Sequence, residues 1–221
     1  MKLTLSSLFF FSFFLCGLVY GEDLHKEFTV KVSGIKIGKL VWTIKIDDTN
    51  YLSDLKLKSE GVLSGIYRFE GEYYSEGVVL KNKLKPNKYN HIWKTKKITK
   101  NMSLVFQGDK LKLLNQLPNE KEKLRVNVFG IKQSKDPLTS FLQILLGEKK
   151  SLVVDGRRTY TMSAVINEKT KETVVEISNY SNLWTDHKRR NFEKLTFEKK
   201  DGDFFPIKIN IYFDGKIFKL E

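Results

Sequence analysis

Glu70, Glu72 and Glu76 stand at even spacing in the stretch "FEGEYYSEG", with Tyr74 among them. Every second residue of a strand shares a face, so these carboxylates would form one row. Paired carboxylates do general acid and base work. The other face of the same strand carries Phe69 and Tyr73, so the row reads first as the solvated face of a strand backed by an apolar one. Other enzyme signals are weak. His25, His91 and His187 are scattered and lack the His-Glu-x-x-His spacing of a metal site. "GVLSG" places its serine at the wrong offset for a nucleophile elbow. No glycine-rich phosphate loop is present. The residues therefore predict no catalytic set, no metal and no cofactor.

Two other groups are candidates for binding. In "VVDGRRTYTM" (153–162), Arg157 and Arg158 follow Asp155-Gly156 directly. Asp-Gly is a turn dipeptide. Adjacent strand residues point to opposite faces, so at most one of these arginines points inward. An inward guanidinium needs a carboxylate partner, such as Asp155 or Glu70, or an anionic ligand. The second group is aromatic. The chain has 16 Phe, 9 Tyr and 3 Trp. Trp42, Tyr89, Trp93 and Phe141 either fill a β core or line an apolar pocket. With Arg157 and Arg158, they are the candidate ligand-binding residues.

The elements that must position these residues are mostly strands. In "GKLVWTIKIDD", Leu40, Trp42, Ile44 and Ile46 alternate with polar or outward positions. A two-residue loop at Thr49-Asn50 would set Ile44 against Leu55 and Trp42 against Leu57. Asp214-Gly215 predicts a tight hairpin pairing Ile211 with Phe218 and Ile209 with Leu220. Gly108-Asp109 predicts another, pairing Phe106 with Leu111 and Leu104 with Leu113. Further strands are expected at 27–33, 67–80, 87–100, 158–166, 172–180, 188–198 and 204–213. Only "DPLTSFLQILLGEKK" reads as a strong helix, with Asp136 as cap, Pro137 in the first turn and Gly147 at the end. "GVLSGIY" (61–67) is a shorter helix or an apolar loop. The fold class is mainly β: an antiparallel curled sheet or partly open β-barrel, with one or two short helices covering an opening.

The remaining composition bounds address and partners. Lys2 precedes an apolar run from Leu8 to Val19, and Val19-Tyr20-Gly21 has cleavage-site character. Residues 1–21 read as a signal peptide, and 22–221 as one β-rich domain in the periplasm. The single cysteine, Cys16, lies within that signal. The net charge is +13, carried by 33 Lys and only 6 Arg interleaved with acids. That balance suits solubility or an anionic envelope surface. Nucleic acid is not expected, because arginine is too sparse for base readout.

Six stretches carry a family resemblance: "GIKIGKL" (34–40), "SEGVLSGIYRFEGEYYSEG" (59–77), "LKPNKY" (84–89), "DPLTSFL" (136–142), "VVDGRRTYTM" (153–162) and "FFPIKINIY" (204–212). In this order they resemble the domain of unknown function 3108 family of exported bacterial proteins. The chain departs from that family in being rich in Lys and Asn. The resemblance implies an envelope location and a β-rich fold, with no activity to carry over. The expected function is a non-enzymatic, barrel-like binding or carrier protein. Its expected ligand is a lipid or other amphipathic envelope component, with peripheral membrane contact. The alternatives are an envelope hydrolase acting on glycan or lipid through the glutamate row, and a structural interaction partner.

Overall fold

The computed structural model describes residues 23–61, 64–65, 68–184 and 192–221. The expected cleavage site before Glu22 lies outside these residues, as does most of the short helix or loop expected over 61–67.

The period-two patterning produces a single sheet of 14 strands. Its first seven are β1 (Leu24–Val32), β2 (Ile35–Ile46), β3 (Asn50–Ser59), β4 (Phe69–Leu80), β5 (Lys83–Thr95), β6 (Thr99–Gln107) and β7 (Lys110–Leu117). After the short β8 (Ser134–Lys135) and the helix α1 (Pro137–Leu145) come β9 (Lys150–Val154), β10 (Arg158–Ile166) and β11 (Thr173–Asn182). The last three are β12 (Phe192–Glu198), β13 (Lys208–Phe213) and β14 (Lys216–Leu220). Most neighbours in sequence pair antiparallel, as short turns require, while β7 and β8 stand at the two ends of the sheet order and β8 pairs parallel with β9. Strand β1 also pairs with β14, through Thr29 N–H to Glu221 O at 2.7 Å and the return bond at 3.1 Å. The sheet therefore curls into a nearly closed barrel, with one seam between β7 and β8. The segment 118–133 runs along that seam and touches both sides. Arg125 N–H donates to Leu183 O (2.8 Å), and Gln133 N–H donates to Asp109 O (2.7 Å).

The hairpin at Asp214-Gly215 has the predicted register, Ile211 opposite Phe218 and Ile209 opposite Leu220. Two others differ. Trp42 faces Leu55, and Leu40 faces Leu57, so the β2–β3 pairing is shifted by two from the expected one. The cause is local: Asp47 Oδ1 accepts from the N–H groups of Thr49 and Asn50, and this turn lengthens the loop to 47–50. An even shift leaves each apolar side chain on its own face. In the β6–β7 hairpin, Phe106 faces Leu111 as expected, but a bulge moves Leu104 onto Leu114. The strand expected over 204–213 begins only at Lys208, after Pro206, which has no N–H for a ladder.

Helix α1 starts where expected. Asp136 is its N-cap and accepts from Thr139 N–H at 3.0 Å, and Pro137 follows. It packs inside the barrel against β4, β5 and β9. Leu142 is fully buried, and so are Thr139 and Ser140 on other sides of the helix. Leu142, Ile144 and Leu145 join the core around Phe28, Trp42 and Val153, while Leu138 joins a second core around Tyr89, Leu104 and Val128. Each such buried Leu contributes roughly 1.5–3 kcal/mol. Of the apolar stripe, only Leu146 turns outward, and Gly147 then ends the helix at φ +99°.

Candidate functional site

Strands β8 and β9 run parallel, with Ser134 opposite Leu152 and Lys135 opposite Val153. Parallel neighbours need a crossover, and α1 supplies it on the inner face. The short β8 leaves much of the sheet edge unpaired at the seam. A cleft of about 540 Å³ opens there. Lys83 and Lys85 reach it from one face of β5, because the residue between them, Leu84, points inward and is fully buried. Lys132 comes from the seam segment, Lys135 from β8 and Lys150 from β9. Asp109 and Glu148 are the acidic residues of the lining.

Five ammonium groups thus meet two carboxylates. None of the ion pairs among the described residues involves these lysines. Lys135 is the most enclosed. Burial lowers its proton affinity, Lys85 and Lys83 lower it further, and Glu148 opposes them. Its Nζ reaches Gln143 Oε1 of α1 at 3.4 Å, an oxygen that already accepts Leu84 N–H at 2.6 Å. Ser134 also lines the cleft. It is 2% exposed, and its Oγ has no hydrogen-bond partner. Buried hydroxyls are normally paired. The arrangement can attract and hold an anion. It holds no nucleophile with an adjacent base, and no group of three or more His, Cys, Asp or Glu placed for a metal occurs among the described residues.

The sequence does not single out these lysines. They come from three strands and a loop, and nothing in their spacing distinguishes them from the other lysines of the chain. The residues it did single out lie elsewhere. Trp42 is 1% exposed, donates from Nε1 to Ser53 Oγ (2.9 Å) and stacks on Phe141 at 5.7 Å. Tyr89 is buried in the second core. Trp93 stacks on Phe69 at 5.3 Å, over Gly71, where an added Cβ would lie 3.2 Å from the indole. Arg157 and Arg158 flank the end of the predicted turn, with Gly156 at φ +87°. Asp155 Oδ1 accepts both arginine N–H groups, at 2.8 and 2.7 Å. Its Oδ2 stands 3.7 Å from Arg158 Nη1, whose guanidinium covers the ring of Tyr180. Of the six candidates, Trp42 and Phe141 touch one another, and neither arginine lines the seam cleft.

The glutamate row is laid out as an ion ladder. Glu72 pairs with Lys94 at 2.9 Å, Glu70 meets Arg68 at 3.4 Å, and Glu76 accepts from Tyr74 Oη at 2.6 Å. Lys56 and Lys58 stand opposite Glu72 and Glu70 on β3. A second buried acid, Asp136, is held by Ser75 Oγ (2.9 Å) and Thr139 Oγ1. Burial raises its carboxyl above the usual range, and these hydrogen bonds pull it back. Tyr51 Oη closes the cluster on Thr139 Oγ1 at 2.6 Å.

A search among curated proteins finds no match. Among solved structures, the chain is similar to the beta-barrel-like protein of domain of unknown function DUF1849 from Brucella abortus. The identity is 8%, the match covers 90% of this chain and 95% of that one, and the TM-score is 0.46. The model of the family described as "Protein of unknown function (DUF3108)" matches residues 27–184, well over half of the sequence, and the chain belongs to that family.

Proposed function

We propose that this chain is an exported, non-catalytic binding protein of the cell envelope, which holds the anionic head of an amphipathic ligand in the seam cleft. One observation carries the reading: five lysines converge on a cleft of about 540 Å³ against two carboxylates. Such a cleft focuses positive potential and raises the local concentration of an anion. Pro86 and Leu152 in its wall offer the apolar part of the ligand a surface. The interior that a hollow carrier would use is occupied by α1, so shape and charge at the seam take over the role expected of an apolar lumen. The glutamate row supports a hydrolase less well, because its carboxylates already face cations or a tyrosine.

Calorimetric titration with short-chain amphiphiles tests the reading. Octanoate, octyl sulfate and octyl phosphate should bind, and octyl glucoside should not. Replacing Lys83, Lys132 and Lys150 together with Gln should abolish that binding. Equal binding of the neutral glucoside, or an unaffected triple variant, would overturn the proposal.

A further inference from the structure

The cleft contains more than a surplus of charge. We propose that it is a site for a phosphate dianion: its ligand presents a phosphomonoester or diphosphate group, with Ser134 as the buried hydroxyl donor. This rests on the anion-binding reading above and narrows it. Five lysines less Asp109 and Glu148 leave three positive charges facing the opening. A single carboxylate or sulfate ester would leave two of the three unmatched, whereas a dianion or a diphosphate answers most of them. The donor type points the same way. The cationic lining residues are all lysine, with no arginine. A guanidinium fork grips carboxylate and phosphate alike, while ammonium groups act as point charges from several directions and together suit a compact, multiply charged anion. Lysines arriving from β5, the seam segment, β8 and β9 surround a tetrahedral group instead of clamping a flat one. Ser134 supplies the independent observation. The residue is 2% exposed and lines the cleft, and its Oγ is buried with no partner in the protein. A ligand oxygen would satisfy it.

Phosphate reaches such a cleft either as a free soluble group or as a lipid headgroup, and the test separates the two. Binding is measured at constant ionic strength for phenyl phosphate, pyrophosphate, benzenesulfonate and acetate. It is also measured for vesicles of phosphatidylcholine with and without phosphatidic acid. The phosphate compounds should bind at least about tenfold tighter than benzenesulfonate or acetate. Phenyl phosphate should strengthen as pH rises through about 6, where its second proton leaves. Ser134→Ala should weaken phenyl phosphate severalfold and acetate by less, with the melting curve confirming an intact fold. Vesicle binding that requires phosphatidic acid identifies the lipid source, and phenyl phosphate binding without it identifies the soluble one. If benzenesulfonate and acetate bind as tightly as the phosphates, or Ser134→Ala has no effect, the dianion proposal falls and general anion binding stands. If no anion binds, both fall.

Discussion

Two sets of polar side chains lie next to each other in the sequence and differ in what completes them. Asp136, Thr139 and Ser140 follow Ser134 and Lys135 directly. The first set is fully buried and internally complete. Asp136 receives Thr139 N–H, Thr139 Oγ1 and Ser75 Oγ, Tyr51 Oη closes on Thr139 Oγ1, and Ser151 Oγ donates to Ser140 Oγ at 2.9 Å. The second set is left open. Ser134 Oγ has no partner, and Lys135 reaches only an amide oxygen already in use. A buried polar group whose bonds are all made inside the protein is a structural element. One whose bonds are unmade costs stability and marks a place for something else. Helix α1 lies between the two: its N-cap anchors it to β4 through Ser75, and its Gln143 meets Lys135 of the cleft.

The sharpest way to break this comparison is to remove the anchor. Asp136→Ala deletes an N-cap, which costs about 0.5–2 kcal/mol. It also leaves the buried hydroxyls of Ser75 and Thr139 without their acceptor, at about 1–3 kcal/mol each. Urea unfolding should show a loss of about 3–5 kcal/mol. A loss below about 1 kcal/mol would mean that the cluster is loosely held and that the contrast with the seam is unfounded.

A third group, half-buried with one ring nitrogen enclosed, lies outside both sets. His91 stacks on Tyr73 at 4.3 Å, and its Nε2 has no partner. Burial, aided by the charge of Arg157, lowers its pKa to about 4. The unfolded chain therefore binds a proton between about pH 6.5 and 4 that the folded one does not. Stability rises with pH across that window, and going down it the fold loses about 3 kcal/mol from this group. His91→Phe keeps a ring for the stack and removes the titration. The difference between wild-type and variant unfolding free energies should shift by about that amount between pH 7 and pH 4. A constant difference would show that His91 is hydrated or charged in the fold, and that an unpartnered atom there carries no penalty.

The fold was legible in the sequence to the extent that its signals were local. The hairpin at Asp214-Gly215 follows from two residues. Gly215 has φ +69°, and Gly215→Val should cost about 1 kcal/mol or more in melting experiments, since a β-branched residue resists that region. A neutral variant would argue against that turn geometry. The cap at Asp136 was equally readable. The β2–β3 register was not, because it depends on which N–H groups the Asp47 side chain bonds. The bulge after Val105 left no pattern. The interior position of α1 was hidden for a different reason. Its buried polar side chains, Thr139, Ser140 and Gln143, look like a solvent face until Ser75 and Leu84 N–H, both distant in sequence, and Ser151 of the next strand are brought against them. The cleft was the least legible part, since lysines 83, 85, 132, 135 and 150 converge only once the sheet has curled.

The smallest expected effect is also the one that separates the two sets most directly. Ser134→Ala removes a buried hydroxyl that bonds nothing in the protein, and Lys135→Met removes a half-buried ammonium crowded by Lys83 and Lys85 while keeping most of its length. Neither change deletes an internal hydrogen bond of good geometry, and each relieves an unmet demand. Without ligand, both variants should unfold at the same urea concentration as wild type or slightly higher, a gain of up to about 1 kcal/mol. The sign is the informative part, because polar truncations at buried positions usually destabilise. With phenyl phosphate present, the order should reverse: wild type gains stability by mass action and the variants gain less. If Ser134→Ala instead costs as much as a truncation in the Asp136 cluster, its hydroxyl is bonded within the fold. The seam would then be built on the same terms as the helix anchor, and the distinction between the two sets would disappear.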